Sequence, residues 1–199
     1  FDTDEVRAMS TYMALKYGIS ISGDYEGSGN TPTIWEATLN SNYNNEITGI
    51  GRDDQCAMEQ KQSLAADSQG MVSIALSALA SSNANNASSF SMNDEFIVWG
   101  NNDGSIASFE TTGAPSNREI LDRTWKLQIT GSPGNVEIVV PDNSSSSTNK
   151  LPEEESIIYL LLDTDSNFSS GATEVMMFLN GDNWEATTSI NSYTYFTFA

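Results

Sequence analysis

The chain has 199 residues, with 8 Lys plus Arg against 27 Asp plus Glu and a formal charge of −19. A field of that sign repels phosphate backbones and anionic lipid, so nucleic acid and membrane surfaces are excluded as expected partners. There is no histidine, which removes Ser-His-Asp chemistry, papain-like chemistry and every His-containing zinc site.

Mean hydropathy is −0.34, and apolar runs such as 157–162 fall well short of the roughly 20 residues a membrane span needs. No membrane insertion is expected. Phe1 is followed at once by acidic residues, with neither a basic nor an apolar leader, so any export signal is removed or lies outside this sequence. Strong acidity with few lysines and many Asn and Ser fits secretion into saline or calcium-bearing water. Cys56 is the single cysteine; it is read as a small buried residue, with a free thiol open to intermolecular pairing as the alternative.

The first element is a helix over 1–18. Thr3 or Asp4 can cap it, Asp4 and Glu5 suit the positive end of the dipole, and Gly18 is the C-terminal stop. Val6, Met9, Met13 and Tyr17 recur at three- and four-residue spacing, which predicts one apolar stripe facing the body of the domain.

From there the pattern has period two. Strands are expected over 34–39, 71–79, 95–100, 124–130, 135–140, 156–162, 174–179, 183–190 and 193–198. Trp125, Leu127 and Ile129 point one way and Lys126, Gln128 and Thr130 the other. Gly, Asn and Asp turns at 101–104, 131–135 and 180–183 separate the runs. The fold class expected is all-β, an antiparallel β-sandwich-like domain with one short N-terminal helix. It is read as a single domain over 1–199, with a subdivision near 143–155 left open. The low-complexity stretches 81–89 and 143–150 read as exposed loops.

Between residues 43 and 63, Gly49 and Gly51 flank Ile50, and Arg52 meets Asp53 and Asp54. An Arg beside two carboxylates reads as a bidentate bridge that fixes a loop; the alternative is a carbohydrate or cation site. Trp35, Trp99, Trp125 and Trp184 are expected in the core, with a sugar-binding groove as the alternative.

Several of these segments carry a resemblance. "ALKYGI", "TIWEAT", "YNNEITGIGRDD", "QKQS", "FIVWGNNDG", "RTWKLQITG" and "LLLDTDSNFS" are similar to a domain of uncharacterised function. That domain recurs in large secreted surface proteins and adhesins of marine gliding-type bacteria, often after a laminin-G-like module. The resemblance runs from about residue 12 to the end, and it implies an extracellular location with no catalytic residues to transfer. The chain departs from the family pattern at Gln55 and Cys56, and at Ser166, Phe168 and Ser169 in the acidic loop.

That loop is the candidate metal site. Asp163, Asp165, Asn167 and Ser169 alternate, and Glu174 stands at the twelfth position of the window, the spacing by which calcium loops supply oxygens. Ca2+ is the cofactor this pattern implies. Phe168 occupies the sixth position, where such loops carry glycine, and a strand–strand turn capped by its own Asp and Asn side chains is the alternative.

The functional expectation is a non-catalytic, extracellular structural or adhesive domain of a bacterial cell-surface protein or fibre. Its partners would be neighbouring copies or domains of the same surface protein, and glycans if it is instead a lectin-like carbohydrate-binding module. A carboxylate-based glycosidase is the remote alternative, since no pair of acids is singled out. The last strand, "YTYFTFA", is expected to close a sheet within the domain, with pairing to a neighbouring subunit as the alternative.

Overall fold

A computed structural model describes residues 3–29, 32–67, 69–152, 157–190 and 194–199. The helix α1 runs Thr3–Tyr17 with Asp4 and Glu5 in its first turn; the residue before Thr3, where a cap would sit, lies outside the described residues. Gly18 takes the left-handed conformation (φ 65°) and the Ile19 N–H donates to the Ala14 carbonyl at 3.1 Å, the Schellman ending that glycine permits.

Its buried face corrects the sequence reading. Ala8, Thr11, Ala14 and Leu15 face the body, whereas Val6, Met9, Met13 and Tyr17 are 43–55% exposed. The surface beneath explains the inversion. A Cβ at Gly49 would lie 2.9 Å from Leu15 Cδ2, so the helix approaches closer than a stripe of Met and Tyr would allow. Thr11 also accepts a hydrogen bond from the Glu26 N–H at 2.9 Å.

Two short strands, β1 (Tyr25–Glu26) and β2 (Thr33–Trp35), form a ribbon beside α1. The remaining strands in the first half are β3 (Asn45–Asp53), β4 (Met58–Gln60), β5 (Gln62–Leu64), β6 (Ser73–Leu76) and β7 (Phe96–Asn101). A second small ribbon, β8 (Phe109–Glu110) with β9 (Ile120–Leu121), follows. The chain continues through β10 (Trp125–Thr130), β11 (Asn135–Pro141), β12 (Tyr159–Asp163), β13 (Thr173–Met176), β14 (Phe178–Asn180), β15 (Asn183–Ser189) and β16 (Tyr195–Phe198).

Two antiparallel sheets make the sandwich. One has seven strands in the order β13-β12-β16-β10-β7-β3-β4, the other five in the order β14-β15-β11-β6-β5. Their facing sides build the main core: Ile97, Trp99, Trp125, Leu127, Leu160, Leu162, Phe196 and Phe198 from the larger sheet meet Ile74, Leu76, Val136, Ile138, Val140 and Trp184 from the smaller. Trp125 and Phe196 stack with centroids 5.4 Å apart.

The outer face of the larger sheet is covered too. At one end α1 and the β1–β2 ribbon bury Leu15, Tyr25, Trp35, Ile47, Phe96 and Val98. At the other, Ala114, Ile120, Leu161 and Phe168 form a third cluster. Double coverage is why every residue of β7 is buried, a run of apolar side chains where a half-exposed strand would alternate. β16 lies between β12 and β10 with both neighbours paired, so Tyr195–Phe198 closes a sheet within its own domain, while Tyr193 lies outside the described residues. Strands on either side of 143–155 pair with one another, β11 with β15 and β10 with β16.

Candidate functional site

The acidic loop joins β12 to β13 and is held by its own side chains. Asp163 Oδ1 accepts the N–H groups of Thr164 (2.6 Å) and Asp165 (3.4 Å). Asp165 Oδ1 accepts the Asn167 N–H at 2.7 Å, and Asn167 Oδ1 the Ser169 N–H at 3.2 Å. Three successive Asp and Asn caps therefore replace ladder hydrogen bonds through the turn. Phe168 is fully buried in the third cluster and anchors the loop from the position where a calcium loop turns on glycine.

Glu174 is drawn elsewhere. It faces Leu161 across the β12–β13 pair, and its carboxylate accepts from Arg118 Nη2 at 2.6 Å. Arg118 lies over the Tyr159 ring at 3.7 Å, and Glu174 raises its pKa further. Of the five predicted ligands, Asp163 alone keeps a buried oxygen, Oδ2, with no hydrogen-bond partner. Among the described residues no three His, Cys, Asp or Glu side chains are grouped to hold a metal ion.

Residues 43–63 divide their carboxylates between two structural tasks. Arg52 makes the expected bidentate bridge to Asp54, Nε to Oδ1 at 2.7 Å and Nη2 to Oδ2 at 3.1 Å. Asp53 is buried and accepts from the Ser28 N–H (2.9 Å), the Ser28 hydroxyl and the N–H groups of Gln55 (3.1 Å) and Cys56 (3.3 Å). It pins the β3–β4 turn to the strand-end loop after β1. The two glycines make room: a Cβ on Gly51 would run into the Phe96 ring. Cys56 is free and partly buried, and burial, then the Asp53 charge, pushes its thiol up. That disfavours the reactive thiolate.

Sequence reasoning gave no signal for a buried cation at Arg123. Its Nε donates to the Gly104 carbonyl (2.8 Å), Nη2 to Gln69 Oε1 (2.8 Å) and Nη1 to the Gln69 carbonyl (3.3 Å) and Glu46 (3.4 Å). Asp103 stands 3.6 Å from Nη2. Glu46 and Asp103 both sit at positive φ, 52° and 56°, a conformation non-glycine residues hold only when their surroundings fix it. Burial pushes the Glu46 carboxyl up, against the lowering pull of Asn101 and Arg123.

All four tryptophans are in the core as expected, which leaves none of them for the alternative of a sugar-binding groove. Trp35 Nε1 donates to Asn44 Oδ1 at 2.9 Å and Trp184 Nε1 to Asp142 Oδ1 at 2.8 Å. A concavity of about 840 Å³ lies beside α1, lined by Glu5, Met9, Tyr12, Glu26, Gln55 and Cys56 among others, and shares no residue with the acidic loop.

The two sides of the sandwich end differently. On one side β4 and β5 are the edge strands, and the loop at 81–89 lies against the junction between them: Asn83 Oδ1 accepts the Lys61 N–H at 2.6 Å and Asn83 Nδ2 donates to the Glu59 carbonyl at 2.9 Å. Asn86 is likewise buried against the Ala78 carbonyl at 2.9 Å. On the other side the edges are β13 and β14, one continuous ribbon that changes sheets at the buried Met177. There Met176, Phe178 and Leu179 are exposed, Phe178 to 65%.

A family model described as a domain of unknown function, DUF8202, matches residues 5–195. The chain belongs to the DUF8202 family. The match takes in α1, both sheets and the acidic loop, so the exposed edge and the self-capped loop described above fall within this DUF8202 domain. No curated protein and no solved structure matches the chain.

Proposed function

We propose that this domain is a non-catalytic structural and adhesive part of an extracellular bacterial cell-surface protein or fibre. It joins neighbouring copies or domains through the β13–β14 edge. The observation that carries this reading is the asymmetry between edges: Asn83 occupies main-chain groups of Glu59 and Lys61 beside β4–β5, where Leu64 alone is a large exposed apolar side chain, whereas β13–β14 presents Met176, Phe178 and Leu179 to solvent. A strand edge offers main-chain groups for pairing, and exposed side chains on it supply affinity. Residues 173–180 carry neither Lys nor Pro, the residues that commonly guard an edge against pairing. The one charge among them, Glu174, is engaged by Arg118. A charge of −19 suits a surface exposed to salt, and the family resemblance of the segments quoted above points to the same setting.

Electron microscopy of the parent protein on and from its source cells tests this reading. Surface labelling with periodic filaments or arrays is the expected result. Labelling confined to the cell interior, or dispersed single particles, would overturn it, as would turnover of a polysaccharide panel.

A further inference from the structure

We propose that α1 is a dimerisation element, through which two copies of this chain pack antiparallel about a two-fold axis. The observation is the inverted helix. Its small residues, Ala8, Thr11 and Ala14, are buried with Leu15, while Val6, Met9, Met13 and Tyr17 face outward. At 3.6 residues per turn the outward four fall within a sector of about 80°, opposite the buried face. Their three- and four-residue spacing is that of a helix–helix seam.

The apolar surface continues beyond the helix. Tyr17 and Leu64 line one depression, and Leu64 and the neighbouring Ile19 are both exposed. The stripe stands as a ridge between two hollows. One is lined by Glu5, Met9, Tyr12 and Glu26, the other by Val6, Ser10, Ile21 and Asp24. A ridge flanked by hollows is a self-complementary shape, as an isologous contact requires.

Charge selects a second copy and sets its direction. Glu5 and Lys16 flank the stripe on the same side, near opposite ends of the helix. With the helices antiparallel, Met9 meets the partner's Met13, and Glu5 comes beside the partner's Lys16. The two-fold axis repeats both contacts. A parallel two-fold would carry the partner's Glu5 and Lys16 to the opposite flank of the seam, where neither meets its opposite charge. Antiparallel packing also aligns the helix dipoles favourably. In the hollow on the Glu5 side, Asp4, Glu5 and Glu26 outnumber the one cation, Arg7, a net acidic setting for the incoming lysine. This surface is separate from the β13–β14 edge and stands independently of the function proposed above.

Sedimentation velocity on the full chain from about 1 μM to about 1 mM, the range of weak protein–protein affinities, tests the inference. Circular dichroism of each variant checks that it folds. A concentration-dependent dimer is expected, and Met9→Glu or Met13→Glu, both at exposed positions, should weaken it at least about tenfold. Glu5→Lys and Lys16→Glu should each weaken it, and the two together should restore it. A monomer at every concentration would overturn the inference, as would a dimer indifferent to both methionine variants. Failure of the double charge exchange to recover association would overturn the antiparallel arrangement, and the proposal with it.

Discussion

Gly49 of β3 lies directly beneath Leu15 of α1: a Cβ at Gly49 would stand 2.9 Å from Leu15 Cδ2 and 2.8 Å from the Ile97 carbonyl oxygen. The helix is seated on the larger sheet where a side chain is missing. Gly49→Ala therefore overpacks a closed interface and should lower stability by about 1–3 kcal/mol, measured by urea denaturation. Because α1 is displaced, amide exchange across 3–17 should rise more than exchange in β11.

Arg123 ties Glu46, Gln69 and Gly104 together from a site that is almost fully buried. Arg123→Ala leaves Glu46 without its cation and should cost about 3–5 kcal/mol at neutral pH. The sign of the pH dependence follows from Glu46. Burial raises its carboxyl above the unfolded value, so its contribution is full below the unfolded pKa and is lost as the pH rises through the folded one. The deficit of the variant should therefore shrink on acidification, because a protonated Glu46 needs no counter-ion. Chemical denaturation at a series of pH values reads this directly.

Asp142 behaves oppositely. Burial pushes its carboxyl up, but hydrogen bonds from Ser144 and Trp184 outweigh that and hold it below the ordinary range. A lowered carboxylate stabilises above its unfolded pKa and loses that contribution as the pH falls through its folded one. Asp142→Asn should be less stable than the parent at neutral pH, and the gap should close as the pH falls below the ordinary carboxylate range. A gap that stays constant in acid would show that the Trp184 contact does not depend on the charge.

Phe168 holds the acidic loop. Its ring is fully buried among Ala114, Ile120 and Leu161, so Phe168→Ala should cost about 3–5 kcal/mol. Since Asp165 and Asn167 already cap the turn and Glu174 binds Arg118, calcium and chelator should leave the melting temperature unchanged. A melt raised by calcium in the parent and not in Asp163→Asn would instead place a cation at the free Asp163 oxygen.

The long strands were legible because their apolar runs are local. β7, β10, β11 and β15 fall close to the expected segments, and Trp125 and Leu127 point inward from β10 as their alternation predicts. β3, the longest strand, is not among the expected strands. Its Gly49 and Gly51 are there for Leu15 and Phe96, partners remote in sequence. The run at 174–179 has the pattern of one strand, yet it serves two sheets because Met177 turns into the core between them. Helical spacing located the stripe on α1 but not its direction, which the small residues of the opposite face decide. In the loop the alternation of oxygens was visible. The burial of Phe168 and the claim of Arg118 on Glu174, 56 positions away, were not.

Hydrogen exchange over residues 173–180 reads out whether the β13–β14 edge joins this domain to its neighbours. The comparison is between surface assemblies from the source cells and the dispersed domain. Amides of this ribbon should be strongly protected in the assembly and fast in the dispersed domain, with protection abolished by Leu179→Pro. Equal exchange in both states would contradict it.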